Sequence, residues 1–284
     1  MLKITELKKS YPGFKLDISF EAPNGTIVGL IGRNGAGKST VLKAIGDLIS
    51  RDAGTIEFNG TDVKNMTSDQ KEQFGYVFPD STVPENFSVS DTIKLLKVTY
   101  KNFNESQFND LVKRLKLPID KSVKEMSTGN KAKLKTIIAL THNANLLILD
   151  EPTAGLDVVV RQQIIEVLQD YLNEDESRSI LITTHISSDL ESLADRVILI
   201  DDGNIVFEED TDVIIDSYAL LKMTGEQYDK VDKQYLLHSE KTDFGYSTLT
   251  NEKNFYVENY PDVAIEPTSI DDIILFLVGG INHE

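Results

Sequence analysis

The sequence predicts an α/β fold whose main sheet is mostly parallel and covered by helices. Three observations predict it. A glycine-rich loop, Gly32-Arg33-Asn34-Gly35-Ala36-Gly37-Lys38-Ser39, stands between a short apolar run and a helical pattern. Apolar runs at 145–150, 179–184 and 196–201 are separated by helical patterns at 157–172 and 187–194. Strands that alternate with helices pair in parallel and are buried on both faces. Two carboxylates, Asp150 and Glu151, end one of these runs, on the side where an open parallel sheet presents its ligand crevice.

Taken in chain order, Leu16-Asp17-Ile18-Ser19-Phe20 alternates as a half-buried strand does. Asn24-Gly25 is a turn signal, and Thr26–Ile31 is a short buried strand leading into the loop. The loop fits the phosphate-binding pattern of two glycines, a Lys and a Ser/Thr at fixed offsets. Gly35 and Gly37 let the backbone turn so that successive N–H groups cradle phosphate oxygens. Lys38 adds a point charge for the terminal phosphates, and Ser39 offers a hydroxyl to a magnesium ion. Ser39 to Ile49 carries Val41, Leu42, Ile45, Leu48 and Ile49 at helical spacing, so the positive end of a helix faces the phosphates. Thr55–Phe58 is a strand closed by the turn Asn59-Gly60.

From about 65 to 125 the texture becomes helical. Val89–Tyr100 carries Ile93 and Leu96, with Ser90-Asp91 as the expected cap; Ser106–Lys116 carries Phe108, Leu111 and Leu115 and is closed by Pro118. This reads as a helical insert, about 80–130, within an α/β core. A helix is expected over 130–143. Beyond about 215, Gln234–His238 and Asn254–Val257 read as strands, and Ser269–Val278 as an apolar helix with Asp271 and Asp272 in its first turn. The expected organisation is a unit over 1–215 and a small α+β accessory region over 216–284.

The 284 residues are 40% apolar, enough for a sizeable core, and contain no Cys, which excludes disulfides and thiol chemistry. A net charge of −17, from 46 acidic and 29 basic residues, disfavours a nucleic-acid partner. Lys131, Lys133 and Lys135 form a dense basic run that reads as a solvated helix face or a patch near nucleotide phosphates. The longest apolar stretches, such as Ile273 to Gly280 and Val197 to Ile200, are too short to span a bilayer, and the N-terminus lacks the apolar region of a signal peptide. A soluble cytoplasmic chain is expected.

The acid pair completes a chemical constellation. Asp150 is placed to hold magnesium, and Glu151 to polarise a water for in-line attack on a γ-phosphate. Ser127-Thr128-Gly129-Asn130-Lys131 precedes a helix; alone it reads equally as an anion site or an ordinary N-cap. Thr184-His185 ends the strand 179–183, where a His reaches a phosphate or an attacking water, although a lone His is more often structural.

In this order the motifs resemble the ATP-binding cassette family. Gly32, Arg33, Asn34, Gly35, Ala36, Gly37, Lys38, Ser39 and Thr40 resemble its Walker A nucleotide-binding loop, Leu146–Asp150 its Walker B, and Glu151 its catalytic Glu. Ser127, Thr128, Gly129 and Asn130 resemble its signature, Ala154–Asp157 its D-loop, His185 its switch His, and Tyr11 the aromatic that stacks on adenine. The resemblance implies a P-loop NTPase core with an N-terminal β subdomain, with ATP and Mg2+ as cofactors. It assigns Glu151, His185 and Lys38 to catalysis, and Ser39 and Asp150 to the metal. It implies head-to-tail pairing, each ATP lying between Walker A of one cassette and the signature of a second, identical or paralogous. A separate integral membrane permease is the implied partner, docked near residues 85–115, which places the chain at the inner face of the membrane. Glu266–Ile273 is similar to the ending of cassettes from ABC-2-type exporters. The signature departs from the family's Leu-Ser-Gly-Gly-Gln, and Pro79-Asp80 stands where the family has Gln, with Asp80 as the candidate substitute at the metal. A soluble cassette ATPase of another class, or a module that holds ATP without turnover, is the alternative.

Overall fold

The computed structural model describes residues 1–81 and 83–279. Its first layer is an antiparallel sheet. Strand β1 (Leu2–Tyr11) pairs with β2 (Phe14–Ala22). Strand β3 (Ile27–Ile31) then enters the glycine loop, and helix α1 (Lys38–Ile45) leaves it. Strands β4 (Ala53–Phe58) and β5 (Thr61–Asp62) extend the first sheet, in the order β2-β1-β4-β5. Helix α1 is shorter than its apolar pattern suggests. Gly46 caps it and Asp47 turns left-handed at φ 54°, which leaves Leu48 60% exposed.

The helical insert follows: α2 (Ser68–Lys71), strand β6 (Phe74–Val77), α3 (Val89–Thr99), α4 (Glu105–Arg114) and α5 (Thr128–Leu140). Ser88, not Ser90, caps α3. Its hydroxyl accepts from the Asp91 N–H at 3.2 Å while the Asp91 carboxylate accepts from the Ser88 N–H, a reciprocal box that satisfies two orphan donors. The parallel sheet is completed by β7 (Leu146–Asp150), α6 (Val158–Asn173), β8 (Ser179–Thr183), α7 (Ser187–Leu193), β9 (Arg196–Asp201) and β10 (Asn204–Asp210). The order is β10-β9-β3-β8-β7-β6, with β10 antiparallel at the edge and the other pairs parallel. All residues of β3, β7 and β8 are buried, as helices and the first sheet cover both faces. Each large aliphatic there contributes about 1.5–3 kcal/mol through burial.

A third, antiparallel sheet closes the chain. Helix α8 (Thr211–Ser217), strand β11 (Ala219–Met223), α9 (Gly225–Lys230), β12 (Leu236–Thr242), β13 (Gly245–Thr250), α10 (Lys253–Asn259), β14 (Ala264–Pro267) and α11 (Ile270–Val278) give the order β12-β13-β11-β14. The expected strand at 254–257 is a helix. Helical spacing buries Tyr256 completely, lets its hydroxyl donate to the Asp232 carbonyl at 2.7 Å, and sets Tyr260 one turn on against it. Tertiary packing overrides the strand preference of Phe-Tyr-Val. Ile270, Ile273 and Phe276 of α11 pack back into the core that holds α5 and α6, and the Ile270 N–H donates to Glu191 at 3.0 Å. The end of the apolar run at Gly280 and the last residues of the accessory region, 280–284, lie outside the described residues.

Strand β6 is pressed against α5. A Cβ on Gly75 would lie 2.5 Å from the Ala139 carbonyl oxygen and 2.6 Å from Leu147 Cδ2. Gly75→Ala is expected to cost about 2 kcal/mol, read as a lower urea midpoint at unchanged slope.

Candidate functional site

The glycine loop is shaped by contacts a side chain would forbid. Gly32 adopts φ 148°, and a Cβ there would lie 2.0 Å from the Ile200 carbonyl oxygen. Gly37 adopts φ 116°, and a Cβ there would meet the Phe14 ring at 2.9 Å. The first turn of α1 has neither a side-chain cap nor an acidic residue, so its orphan N–H donors are free for an anion. The Lys38 ammonium lies back on its own loop, donating to the carbonyls of Gly32 at 2.7 Å and Arg33 at 3.2 Å. Burial pushes its pKa down, against the upward pull of Glu151 and Asp150. A cleft of about 290 Å³ opens here between Phe14, Lys38, Ser39, Pro79, Asp150 and Glu151.

The acid pair is set by the pairing of β7 with β8, in which Asp150 faces Thr183. Asp150 is 4% exposed and accepts a 2.6 Å hydrogen bond from the Thr183 hydroxyl. Glu151 turns left-handed at φ 52°, and its N–H donates to the Thr183 carbonyl and hydroxyl, each at 3.1 Å. A non-glycine residue held there costs about 1–3 kcal/mol and marks functional sites. The turn brings Glu151 Oε2 to 2.6 Å from His185 Nδ1. A carboxylate only accepts, so Nδ1 carries the proton and Nε2 points elsewhere.

A buried junction holds these loops. Thr153 and Asp189 are each 1% exposed, and the Thr153 hydroxyl donates to Asp189 Oδ2 at 2.7 Å. Arg161 Nε stands 2.8 Å from Asp189 Oδ1, as an ion pair without an aligned hydrogen bond. Thr153 follows Glu151, Arg161 follows Asp157, and Asp189 follows His185, so one carboxylate fixes three functional segments. Sequence reading passed over it because the partners stand 36 residues apart.

Other residues fall as follows. Ser127 caps α5, accepting from the Asn130 N–H at 3.2 Å, and Asp157 caps α6, accepting from Val160 at 2.9 Å. Gly129 lies against Val160, which brings the two turns together. Thr128 lines a second, more apolar cavity of about 370 Å³ beside Glu151. Asn34, Gly35, Gly37 and Thr40 line the phosphate cleft, whereas Gly32, Arg33 and Ala36 shape the loop without lining it. Tyr11 is 43% exposed and borders a neighbouring recess with Phe14, under the Lys9 ammonium. Phe14, which joins both spaces, escaped the sequence reading. Pro79 lines the cleft, whereas Asp80 is exposed and does not line it.

A family model described as ABC transporter matches residues 16–154. The lantibiotic transport ATP-binding protein SrtF of Streptococcus pyogenes is 36% identical over 216 residues, covering 75% of this chain and 92% of that protein. The chain belongs to the ABC transporter family. It is an ATP-binding cassette and an ATPase. The Nod factor export ATP-binding protein I of Bradyrhizobium diazoefficiens is 29% identical over 280 residues, 93% of this chain and 90% of its own, so that match runs into the third sheet. A solved ATP-binding subunit of an ABC transporter shares 26% identity and a TM-score of 0.68, over 75% of this chain and 91% of its own. Among the described residues no helix is long and apolar enough to cross a membrane.

Removing the Asp189 carboxylate strands the Arg161 guanidinium and the Thr153 hydroxyl. Asp189→Ala is expected to lose about 2–4 kcal/mol, and Asp189→Asn less, as urea unfolding will show.

Proposed function

We propose that this cassette powers export through a separate membrane-spanning partner, by closing head to tail on a second cassette around MgATP. The observation that carries the chemistry is Glu151, held in a left-handed turn at the mouth of the phosphate cleft with His185 on its carboxylate. On this reading α1 and Lys38 grip the β- and γ-phosphates from one side. Glu151 accepts the proton of a water that attacks the γ-phosphorus as the bond to the ADP oxygen breaks. His185 holds the carboxylate in place through Nδ1–H. Phe14 and Tyr11 form the wall against which the base rests.

Ser39 and Asp150 line one cleft with hydroxyl and carboxylate oxygens, the hard donors that magnesium takes. Among the described residues there is no cluster of three acidic or His side chains. That suits an ion held by one carboxylate, one hydroxyl, phosphates and water. Bound there, magnesium would supply positive charge to offset that of the phosphates. Asp80 is the weakest of the metal candidates, since it does not line the cleft.

Export is supported by the name of the Nod factor relative and by the exporter-like ending Glu266–Ile273. Pairing is supported by the exposed turns at Ser127–Asn130 and Asp157, and by the exposed Val158 and Val159 beside them. Residues 1–215 form the cassette in this reading, residues 216–284 serve as its accessory region, and the permease holds the chain at the inner face of the membrane.

Glu151→Gln removes the base and keeps the phosphate grip. With MgATP its mass in solution, by light scattering on a sizing column, is expected to double, and with MgADP to stay that of one chain. Turnover should fall by about two to four orders of magnitude. A single-chain mass with MgATP overturns self-pairing. Failure of the tagged variant to co-purify with any integral membrane protein from detergent-solubilised membranes overturns the transport reading.

A further inference from the structure

Pro79, at the place where the family has Gln, has no polar side-chain atom and no N–H. Its carbonyl is its single polar handle, and among the described side chains Lys135 takes it. Lys135 Nζ donates to the Pro79 carbonyl at 2.9 Å and to the Phe78 carbonyl at 3.2 Å. The turn it grips is itself pinned: the Ser81 hydroxyl donates to the Phe78 carbonyl at 2.7 Å and accepts from the Phe78 N–H at 3.2 Å. Phe78 is buried, and Pro79 lines the phosphate cleft beside Lys38, Ser39 and Glu151. Burial lowers the Lys135 pKa while the Asp80 carboxylate works the other way.

Lys135 stands on α5, the helix that Ser127 caps. Seven residues of helix, about 10 Å, separate it from Thr128. One rigid rod therefore carries the signature turn at its end and, two turns on, a cation fastened to the wall of the chain's own phosphate cleft. A displacement of Pro79 is handed to α5 through two charge-assisted hydrogen bonds, and among the described residues no other side chain bonds that carbonyl.

We propose that Lys135 is a positioning residue that ties occupancy of the chain's own phosphate cleft to the placement of the Ser127–Asn130 turn offered to the second cassette. It takes over mechanically what a side chain at position 79 cannot do. The inference rests on the reading of that turn as a grip on the partner's nucleotide.

The test compares E151Q with E151Q/K135M, which keeps the apolar stem and drops the charge, and with E151Q/K135R. Melting temperature, MgADP affinity and the MgATP concentration for half-pairing are read on each. For K135M the expected result is a melting temperature and MgADP affinity close to those of E151Q, with the MgATP midpoint raised about tenfold or more and largely restored in K135R. An unchanged MgATP midpoint overturns the proposal. So does a parallel loss of MgADP affinity and melting temperature, the mark of a purely structural role. Should E151Q itself stay a single chain, self-pairing fails, and hydrogen exchange decides the Lys135 link. A difference in amide protection at 127–131 between MgATP and MgADP that is lost in K135M upholds it; a difference that survives, or none in either variant, overturns it.

Discussion

The parallel pairing of β7 with β8 is the constraint on which the catalytic end of the molecule depends. Its register sets Asp150 opposite Thr183, so one threonine hydroxyl orients Asp150 while the same residue receives the Glu151 N–H. The left-handed turn at Glu151 is possible only because those bonds over-determine it. From there His185, two residues beyond Thr183, is within 2.6 Å of the carboxylate. A slip of one residue would exchange the faces of β7 and take Asp150 out of the cleft. Complete burial of Leu146–Leu149 on both faces is what forbids that slip.

The same logic governs the loops beyond the strands. Loops carry function because scaffolds position them, yet the segments after Glu151 and His185 have few backbone bonds between them. Asp189 supplies what the sheet cannot. It is buried among α6, α7 and the Thr153 turn, and its two oxygens face the Arg161 guanidinium as an ion pair on one side and a donating hydroxyl on the other. A buried ion pair is weak evidence for net stability and better evidence for a fixed arrangement. Here that arrangement includes both Glu151, the proposed base, and the turn at Asp157.

What the sequence revealed follows from the range of the interactions involved. The glycine loop, the acid pair and the 187–194 helix are encoded within a few residues, where spacing and periodicity speak directly. Helix α10 was misread because Asn254–Val257 has strand-like residues, and only Asp232 and Tyr235, some twenty residues away, decide that Tyr256 points inward. Phe14 was missed for a related reason: its approach to Gly37 crosses from β2 to the loop that heads α1. Arg33 and Asp80 were placed by position in a motif, but a motif does not say which way a side chain leaves the backbone. Lys135 was read as one of three basic residues on a solvated helix face or a patch near nucleotide phosphates. The structure instead sends Lys133 to the Leu115 carbonyl and Lys135 to the Pro79 carbonyl.

Charge completes the argument. A chain of net −17 binds a polyanion, so the attraction must be local. Screening at physiological salt confines distant repulsion to about 8 Å. Within that range the cleft holds Lys38, the N–H donors of α1 and the positive end of its dipole, against two carboxylates, Asp150 and Glu151. One ammonium does not balance two carboxylates and a triphosphate. On the proposed reading a divalent cation held by Ser39 and Asp150 would offset part of that deficit. Glu151, which lines the same cleft with His185 Nδ1 2.6 Å from its carboxylate, is the one proposed to take a proton.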